Sequence, residues 1–304
     1  MNATATISVP GRPVPSTAPL SLPAHLAAHG LRAFDDPRKH RRWMRGKIGA
    51  RQCSIIDWYR DALGGYFPHP EQRTAMYDEM AAPDVFGPVA SERFDAMRAS
   101  GEAILPFLPP GGCILDIGSA IGVLTAWYAL HVPGALVTGC DNAGKAVATA
   151  TEAARAAGSD NLRYAVADVT QGLPQGPFDL VISTQSVVEN DEHADALRHI
   201  AAVLTQDGTY VAIEPLPSVR HVTLFTNLAT EAGLVLQSLT MTPYRMFGVL
   251  QAYPVLVFRH GPAGDAGDAG NSMKVDIPTA YAEAYRPIFG EDPPSSPSSP
   301  AGDR

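Results

Sequence analysis

The chain has 304 residues, of which 45% are hydrophobic, and its formal net charge is −8 at pH 7. That length suits one large domain with a sizeable core, while no apolar run reaches the ~20 residues that span a bilayer. The three cysteines form no Cys-x-x-Cys pair, which argues against a disulfide framework or a structural metal site and favours a reducing cytoplasm. The N-terminus has no basic segment followed by an apolar core, so we expect no secretory signal there.

The first part of the chain is predicted to be a tail followed by helices. Residues 1–24 are rich in Pro, Ala, Ser and Thr and should be disordered. Residues 25–84 are interpreted as a helical lid or substrate segment, with helices at His25–Ala33, Cys53–Tyr66 and Glu71–Met80. The many aromatic residues of this segment indicate either a lid over a substrate or simple packing against the rest of the protein.

A strongly basic stretch lies inside this helical segment. Arg32–Arg51 holds eight Lys or Arg residues against two Asp residues, so it carries a net charge of +6 in a chain whose total is −8. Such a stretch can bind nucleic acid through phosphate contacts. It is more often a solvated surface, and we therefore expect that nucleic acid is an unlikely partner.

Residues 85–260 alternate strand and helix patterns, which predicts an α/β fold with a mostly parallel sheet. Ser91 is expected to cap a helix that runs to Leu105. Strands are then expected near 113–117, 135–140, 162–166, 178–183 and 209–214, and helices near 121–131, 144–157, 192–204 and 218–232.

The end of the chain shows a different pattern. Leu234–Met241 and Val249–Arg259 follow one another without a long helix between them, which is typical of a closing antiparallel pair. Residues 261–304 are predicted to form a linker and a mostly disordered tail, with a docked helix within Met273–Phe289.

A glycine-rich turn follows the first predicted strand of the alternating region. The sequence Cys113–Gly122 contains Asp-x-Gly-x-Ala-x-Gly, starting at Asp116. A dinucleotide fingerprint requires glycine at the first, third and sixth places, but the third place after Gly118 is Ala120 and the sixth is valine. The spacing instead resembles motif I of the class I S-adenosylmethionine-dependent methyltransferases, with alanine as the middle glycine. Because alanine disfavours a positive φ, we expect helical backbone at Ala120.

Three further segments are similar to motifs of the same family. Asp141 ends the second strand, where an acidic residue suits the ribose hydroxyls. Asp168 follows the third strand, at the place where the family binds adenine. A turn at Thr205–Gly208 is similar to the family's turn into strand five.

The resemblance implies S-adenosyl-L-methionine as the cofactor and a Rossmann-like, seven-stranded, mostly parallel sheet with an antiparallel closing strand and an N-terminal helical lid. Taken together with the motifs, it assigns ten residues to cofactor binding. They are Asp116, Gly118, Ser119, Ala120, Gly122, Asp141, Asn142, Asp168, Val169 and Ser183. Each acidic residue alone could be a helix cap or a turn residue, but ligands of open α/β sheets bind beyond the carboxyl ends of the strands, where all of these lie.

The chemistry of methyl transfer demands little of the side chains, because a sulfonium already activates the methyl carbon. His193 and Glu214 are candidate catalytic bases. A surface histidine in the first turn of a helix is the favoured alternative for His193, and a solvent-facing carboxylate at a strand end is an equal alternative for Glu214. Substrate-pocket candidates are Tyr66, Tyr77, Gln185 and Glu189. No metal is expected.

The function that we predict is methyl transfer to an O or N atom of a small molecule, such as a secondary metabolite, by a cytoplasmic enzyme without a membrane segment. The segment after strand four lacks the Asn/Asp-Pro-Pro-aromatic sequence of enzymes that methylate base amines. Transfer or cyclisation of the cofactor's aminocarboxypropyl arm, RNA methylation and a catalytically idle binding module remain alternatives. The oligomeric state stays open, with a homodimer as one possibility.

Overall fold

The structure is a computed structural model, and it describes residues 19–62, 70–189, 193–261 and 275–294. For residues 59–62, 70–73 and 189 it describes the backbone only. Residues 1–18 of the predicted N-terminal tail, residues 262–274 and 295–304 of the predicted linker and tail, and the pocket candidate Tyr66 lie outside the described residues.

Seven strands form one sheet in the order β3-β2-β1-β4-β5-β7-β6. The strands are β1 Gly112–Ile117, β2 Ala135–Asp141, β3 Leu162–Val166, β4 Phe178–Thr184, β5 Leu204–Ile213, β6 Leu234–Met246 and β7 Val249–His260. Strands β1 to β5 are mutually parallel, whereas β7 is antiparallel to both of its neighbours. This confirms the predicted Rossmann-like fold with an antiparallel closing strand. Although β5 is continuous from Leu204, its pairing with β4 shifts from Phe178–Leu204 to Leu180–Thr209, so Thr205–Gly208 leave the ladder where the turn is predicted.

Helices precede the sheet. They are α1 Leu22–Ala28, α2 Pro37–Ala62, α3 Pro70–Met80, α4 Pro83–Ala90 and α5 Phe94–Ile104. α1 begins within the predicted tail, and α2 begins well before the predicted Cys53 and bends at Gly49, whose φ is 79°. Ser91 is not a helix cap, since its hydroxyl donates to the carbonyl of Gly87 and accepts from the amide of Arg32. Sequence periodicity missed α4 because Gly87 and Pro88 lie inside it.

The remaining helices alternate with the strands as predicted. They are α6 Val123–His131, α7 Gly144–Ala157, α8 His193–Val203, α9 Val219–Glu231 and α10 Ile277–Phe289. Within the described residues, no helix combines the length and apolarity needed to cross a membrane.

Each face of the sheet is covered by a hydrophobic core. Because side chains alternate along a strand, Ile114 contributes to one core and Leu115 to the other, and both are fully buried. The Ile114 core also contains Leu22 of α1, Met44 of α2 and Met76 of α3. The N-terminal helices therefore cover the same face as α6 and share its core, and the predicted boundary between residues 84 and 85 falls inside α4.

Candidate active site

A cleft of about 300 Å³ opens at the carboxyl ends of the parallel strands, under the N-terminal helices. On the sheet side its lining comes from the turn after β1 and from the ends of β2, β3 and β4; on the helical side it comes from α3 to α6. The sheet side includes Asp116, Gly118, Ser119, Ala120, Asp141, Asn142, Asp168, Val169, Thr184, Gln185 and Ser186. Eight of the ten predicted cofactor residues thus line one cleft, and Gly122 and Ser183 do not.

The turn after β1 is built from left-handed backbone. The φ angles are 75° at Gly118, 46° at Ala120 and 81° at Gly122. The helical backbone expected at Ala120 is therefore wrong: the alanine takes a conformation that costs an L-residue about 1–2 kcal/mol. Hydrogen bonds hold it there, since the amides of Gly118 and Ser119 donate to the carbonyl of Cys140 and the amide of Ala120 donates to Asp141.

Two of the glycines in this turn permit close packing. A Cβ on Gly118 would lie 2.4 Å from the Cβ of Ser186, so only glycine fits at this wall of the cleft. A Cβ on Gly122 would lie 2.2 Å from the hydroxyl of Tyr164, which donates to the Gly122 carbonyl at 3.1 Å. Gly122 therefore precedes the first residue of α6 and leaves room for the Tyr164 ring, and its contact with the cofactor stays a prediction.

Asp141 joins two parts of the cleft. Its Oδ2 accepts from the amide of Ala120 at 2.8 Å, and its Oδ1 accepts from the amide of Ala143 at 2.9 Å. Burial raises the pKa of this carboxyl above its usual value, and the two backbone bonds oppose that shift. One carboxylate thus fixes the turn after β1 relative to the turn after β2.

Asp116 is buried at the end of β1. Its Oδ2 accepts a 2.6 Å hydrogen bond from the hydroxyl of Thr125 on α6. The pKa of Asp116 is raised to about 7, mainly by burial; the Thr125 hydrogen bond opposes this rise and the nearby charge of Asp141 adds to it. A cation that entered this end of the cleft would favour the ionised form.

Asp168 follows β3 and lines the sheet side of the cleft. Its Oδ1 accepts from the amide of Thr170 at 2.9 Å and from the hydroxyl of Thr170 at 2.8 Å. The neighbouring Val169 is buried and also lines the cleft. The carboxylate is held by the turn that follows β3, as the sequence position predicted.

Ser183 and Glu214 lie next to each other in the interior. Both are fully buried, and neither lines the cleft. The Ser183 hydroxyl donates to Glu214 Oε1 at 2.6 Å and lies 2.8 Å from the hydroxyl of Tyr210. Glu214 also accepts from the backbone amides of Ser186 and Val187 after β4, and its role as a base stays a prediction.

The remaining predicted residues have mixed outcomes. Tyr77 and Gln185 line the cleft. His193 is not among the described lining residues, and its Nε2 lies 3.2 Å from the carbonyl of Val188; its role as a base stays a prediction. The backbone of Glu189 ends a short 3₁₀ helix, and its side chain lies outside the described atoms.

The helical side of the cleft is mainly apolar. It is lined by Met76, Tyr77, Met80, Phe86, Val89, Ala90, Glu92, Arg93, Met97, Val123 and Leu124. Sequence reasoning missed most of these, although Met76 and Met80 share one face of α3 by their spacing. α3 is held over the sheet by Asp78, whose Oδ1 accepts from the amide of Lys145 at 3.0 Å.

Gln185 connects this helical side to the sheet. Its φ is 54°, a strained value for a non-glycine residue, and its amide donates to the carbonyl of Ile213. Its Oε1 accepts from Arg93 Nη1 at 3.4 Å and from the hydroxyl of Tyr253 at 3.3 Å. Strained residues of this kind cluster at functional sites.

Comparison with known proteins agrees with the motifs. Residues 114–208 match the model of a methyltransferase-domain family. A tRNA1(Val) (adenine(37)-N6)-methyltransferase from Pedobacter heparinus is 31% identical over 127 residues, which make up 36% of this chain and 54% of that protein. The chain therefore spans about half the length of this relative.

Two solved methyltransferase structures are similar to this chain, and the one with a TM-score of 0.50 shows the same fold. The mitomycin 7-O-methyltransferase MmcR is 16% identical with a TM-score of 0.50, and the alignment covers 78% of this chain and 75% of that one. A TehB-like methyltransferase from Corynebacterium glutamicum is 21% identical with a TM-score of 0.43, covering 53% of this chain and 87% of that one.

Proposed function

We propose that the chain is a class I S-adenosylmethionine-dependent methyltransferase that transfers a methyl group from that cofactor to an O or N atom of a small molecule. The match of residues 114–208 to a methyltransferase-domain family supports this proposal. The observation that carries the proposal is the single cleft at the carboxyl ends of the strands. It combines the turn after β1, three strand-end carboxylates and an apolar wall.

The cleft fits the cofactor in three respects. The left-handed turn at Gly118 and Ala120 brings main-chain atoms to the wall of the cleft. The hydroxyl of Ser119 is buried without a hydrogen-bond partner beside that turn, so a ligand that supplies one would relieve its cost. Asp116, Asp141 and Asp168 add carboxylates that suit the ammonium, hydroxyl and amino groups of an adenosyl amino acid.

S-adenosylmethionine, when bound, supplies a methyl group already activated by a positive sulfur. The protein then needs mainly to align the acceptor and exclude water. The apolar residues of α3, α4 and α5 exclude water from the helical side, and Gln185 and Arg93 supply the polar contacts there. An acceptor that binds in its deprotonated form needs no general base from the described cleft residues.

The acceptor side favours a small, largely apolar molecule. Methionine side chains at Met76, Met80 and Met97 are flexible and adapt to irregular shapes. Because the Oε1 of Gln185 already accepts from Arg93 and Tyr253, its amide nitrogen is the group left to contact an acceptor. An oxygen or nitrogen with a lone pair would be its natural partner.

Two measurements test this proposal. Calorimetry with S-adenosylhomocysteine should show binding, and Asp141→Ala should weaken it at least about tenfold, since lost charged hydrogen bonds cost on the order of 1–3 kcal/mol. Asp207→Ala, an exposed carboxylate near the opposite end of β5, is the control and should bind as wild type. Absence of heat with the wild-type protein would refute the proposal.

The product identifies the bond that breaks. Incubation with a labelled-methyl donor and a metabolite panel, followed by mass spectrometry, should give a labelled product and S-adenosylhomocysteine. Release of methylthioadenosine would instead indicate transfer or cyclisation of the aminocarboxypropyl arm. Tight binding with no turnover over a broad panel would indicate a binding module.

RNA is a second candidate acceptor, favoured by two observations. The relative from Pedobacter heparinus is a tRNA methyltransferase, and α2 carries exposed basic side chains at Arg38, Arg42, Arg45, Lys47 and Arg51. α2 also packs on α4, which lines the cleft. RNA binding that weakens steeply with added salt, and that falls when Arg42 and Arg45 become glutamine, would support this acceptor over a small molecule.

A further inference from the structure

A buried carboxylate organises the loop that forms one wall of the cleft. Glu214 follows β5 and is fully buried. Its Oε2 accepts from the amide of Ser186 at 3.0 Å, and its Oε1 accepts from the amide of Val187 at 3.2 Å. The Ser183 hydroxyl donates to Oε1 at 2.6 Å, and the amide of Val188 lies at the outer limit, 3.5 Å from Oε2.

The arrangement satisfies donors that the local backbone leaves open. After β4 the chain turns into a 3₁₀ helix at Val187–Glu189, and the first amides of such a turn have no partner within it. A carboxylate at that end accepts several of them together, and charge-assisted bonds to buried amides are stronger than neutral ones. Glu214 therefore replaces the missing backbone acceptors of this loop.

The loop so anchored presents two residues to the cleft. Gln185 keeps its strained φ of 54° between Ser183 and Ser186, both of which Glu214 binds. Ser186 lies against Gly118, so that a Cβ added to Gly118 would lie 2.4 Å from the Cβ of Ser186. The Ser186 hydroxyl also donates to the carbonyl of Ile117 at 3.0 Å. Movement of this loop would therefore shift Gln185 and loosen the turn after β1 at once.

We propose that Glu214 is a positioning residue for the active site: without contacting any ligand, it sets the loop 183–188 and, through Ser186, the turn at Gly118. The consequence for ligand binding rests on the proposed function, whereas the anchoring of the loop does not. The carboxylate after β5 thus holds a loop in place, whereas the carboxylates at the ends of β1, β2 and β3 line the cleft.

The variant Glu214→Gln tests this role because it keeps the size of the side chain but replaces one oxygen by an amide nitrogen. That nitrogen cannot accept from a backbone amide, so the side chain can no longer serve Ser186 and Val187 together. Amide hydrogen exchange at these two residues, measured by NMR without ligand, should accelerate roughly tenfold or more, and the Kd for S-adenosylhomocysteine should rise roughly tenfold.

Asp179→Asn is the matched control. Asp179 also accepts from a backbone amide, that of Cys113 at 2.8 Å, but it lies near the opposite ends of β1 and β4. This variant should leave both the exchange at residues 186–187 and the Kd within about twofold of wild type. If Glu214→Gln folds poorly, Ser183→Ala is the substitute, because it removes one donor to Glu214. It should shift the exchange rates and the Kd in the same direction as Glu214→Gln, but by less.

Unchanged exchange and unchanged Kd in folded Glu214→Gln would overturn the proposal. Equal losses of affinity in Asp179→Asn and Glu214→Gln would also overturn it, because the effect would then follow global stability. Failure of the wild-type protein to bind S-adenosylhomocysteine would refute the proposed function instead, and the exchange measurement alone would then decide whether Glu214 anchors the loop.

Discussion

Replacing Gly118 with alanine adds one methyl group at a position where two separate physical costs meet. The backbone φ of 75° is left-handed, and the new Cβ would lie 2.4 Å from the Cβ of Ser186. Elsewhere in the chain Gly158, which ends α7, has a similar φ of 64°, but a Cβ added there would have no neighbouring atom within 4 Å. The pair of glycines therefore separates backbone strain from steric overlap.

The expected magnitudes follow from these surroundings. A left-handed L-residue costs about 1–2 kcal/mol, and the lower chain entropy of unfolded alanine returns about 0.4–1 kcal/mol. Gly158→Ala should therefore lower the free energy of unfolding by roughly 1 kcal/mol. Gly118→Ala should lower it by about 2–4 kcal/mol, because forcing a methyl group into a packed site adds about 1–3 kcal/mol.

Urea unfolding of the two variants measures the difference directly. A second replacement, Ser186→Gly, removes the side chain that the new methyl group would meet. In the double variant the cost of Gly118→Ala should fall to that of Gly158→Ala, since residues in contact are not additive. Equal costs of the two single glycine variants, or an unchanged cost in the Ser186→Gly background, would refute the reasoning from close approach.

Three further predictions concern charge and strain. The pKa of Asp116 is about 7 because of burial; the carboxyl is therefore protonated below that pH, and the unliganded protein loses stability as pH rises from about 4 to 7. Since a cationic cofactor favours the carboxylate, the affinity for the cofactor should rise with pH up to about 7 and stay constant above it. Calorimetry on Asp116→Asn should show an affinity that does not change with pH. Burial lowers the pKa of His25 to about 4, and His25 lies near His29 and His131 with Nε2 donating to the carbonyl of Val123. The stability that the neutral ring contributes is present above about pH 6.5 and should fall by roughly 2 kcal/mol as pH drops toward 4. In His25→Asn the free energy of unfolding, measured with urea at each pH, should depend less on pH over this range. Ala120→Gly should raise the urea midpoint, by roughly 0.5–1 kcal/mol in free energy, because relief of the φ of 46° exceeds the entropy cost of glycine; a lower midpoint would contradict the strain assigned to Ala120.

The cleft could be located from the sequence because parallel strands end at a common edge. Asp116, Asp141 and Asp168 each follow an apolar strand, and the sheet order brings β1, β2 and β3 side by side. The helical wall could not be located in this way. α4 contains glycine and proline, which conceal its helical pattern, and Arg93 reaches Gln185 across 92 positions of sequence.

The amino-acid sequence by itself determined the alternating sheet, the turn after β1 and the three carboxylates at strand ends, since these follow from local periodicity and from the common direction of parallel strands. It did not determine which way the side chains at the strand ends turn. Ser183 lies opposite Ala212 in the ladder of β4 and β5, and Glu214 shares the sheet face of Ala212 and Tyr210. Both side chains therefore meet each other in the core. Only the pairing of distant strands decides such a contact, because a period of two residues assigns a side chain to a face but does not say which face the cleft occupies.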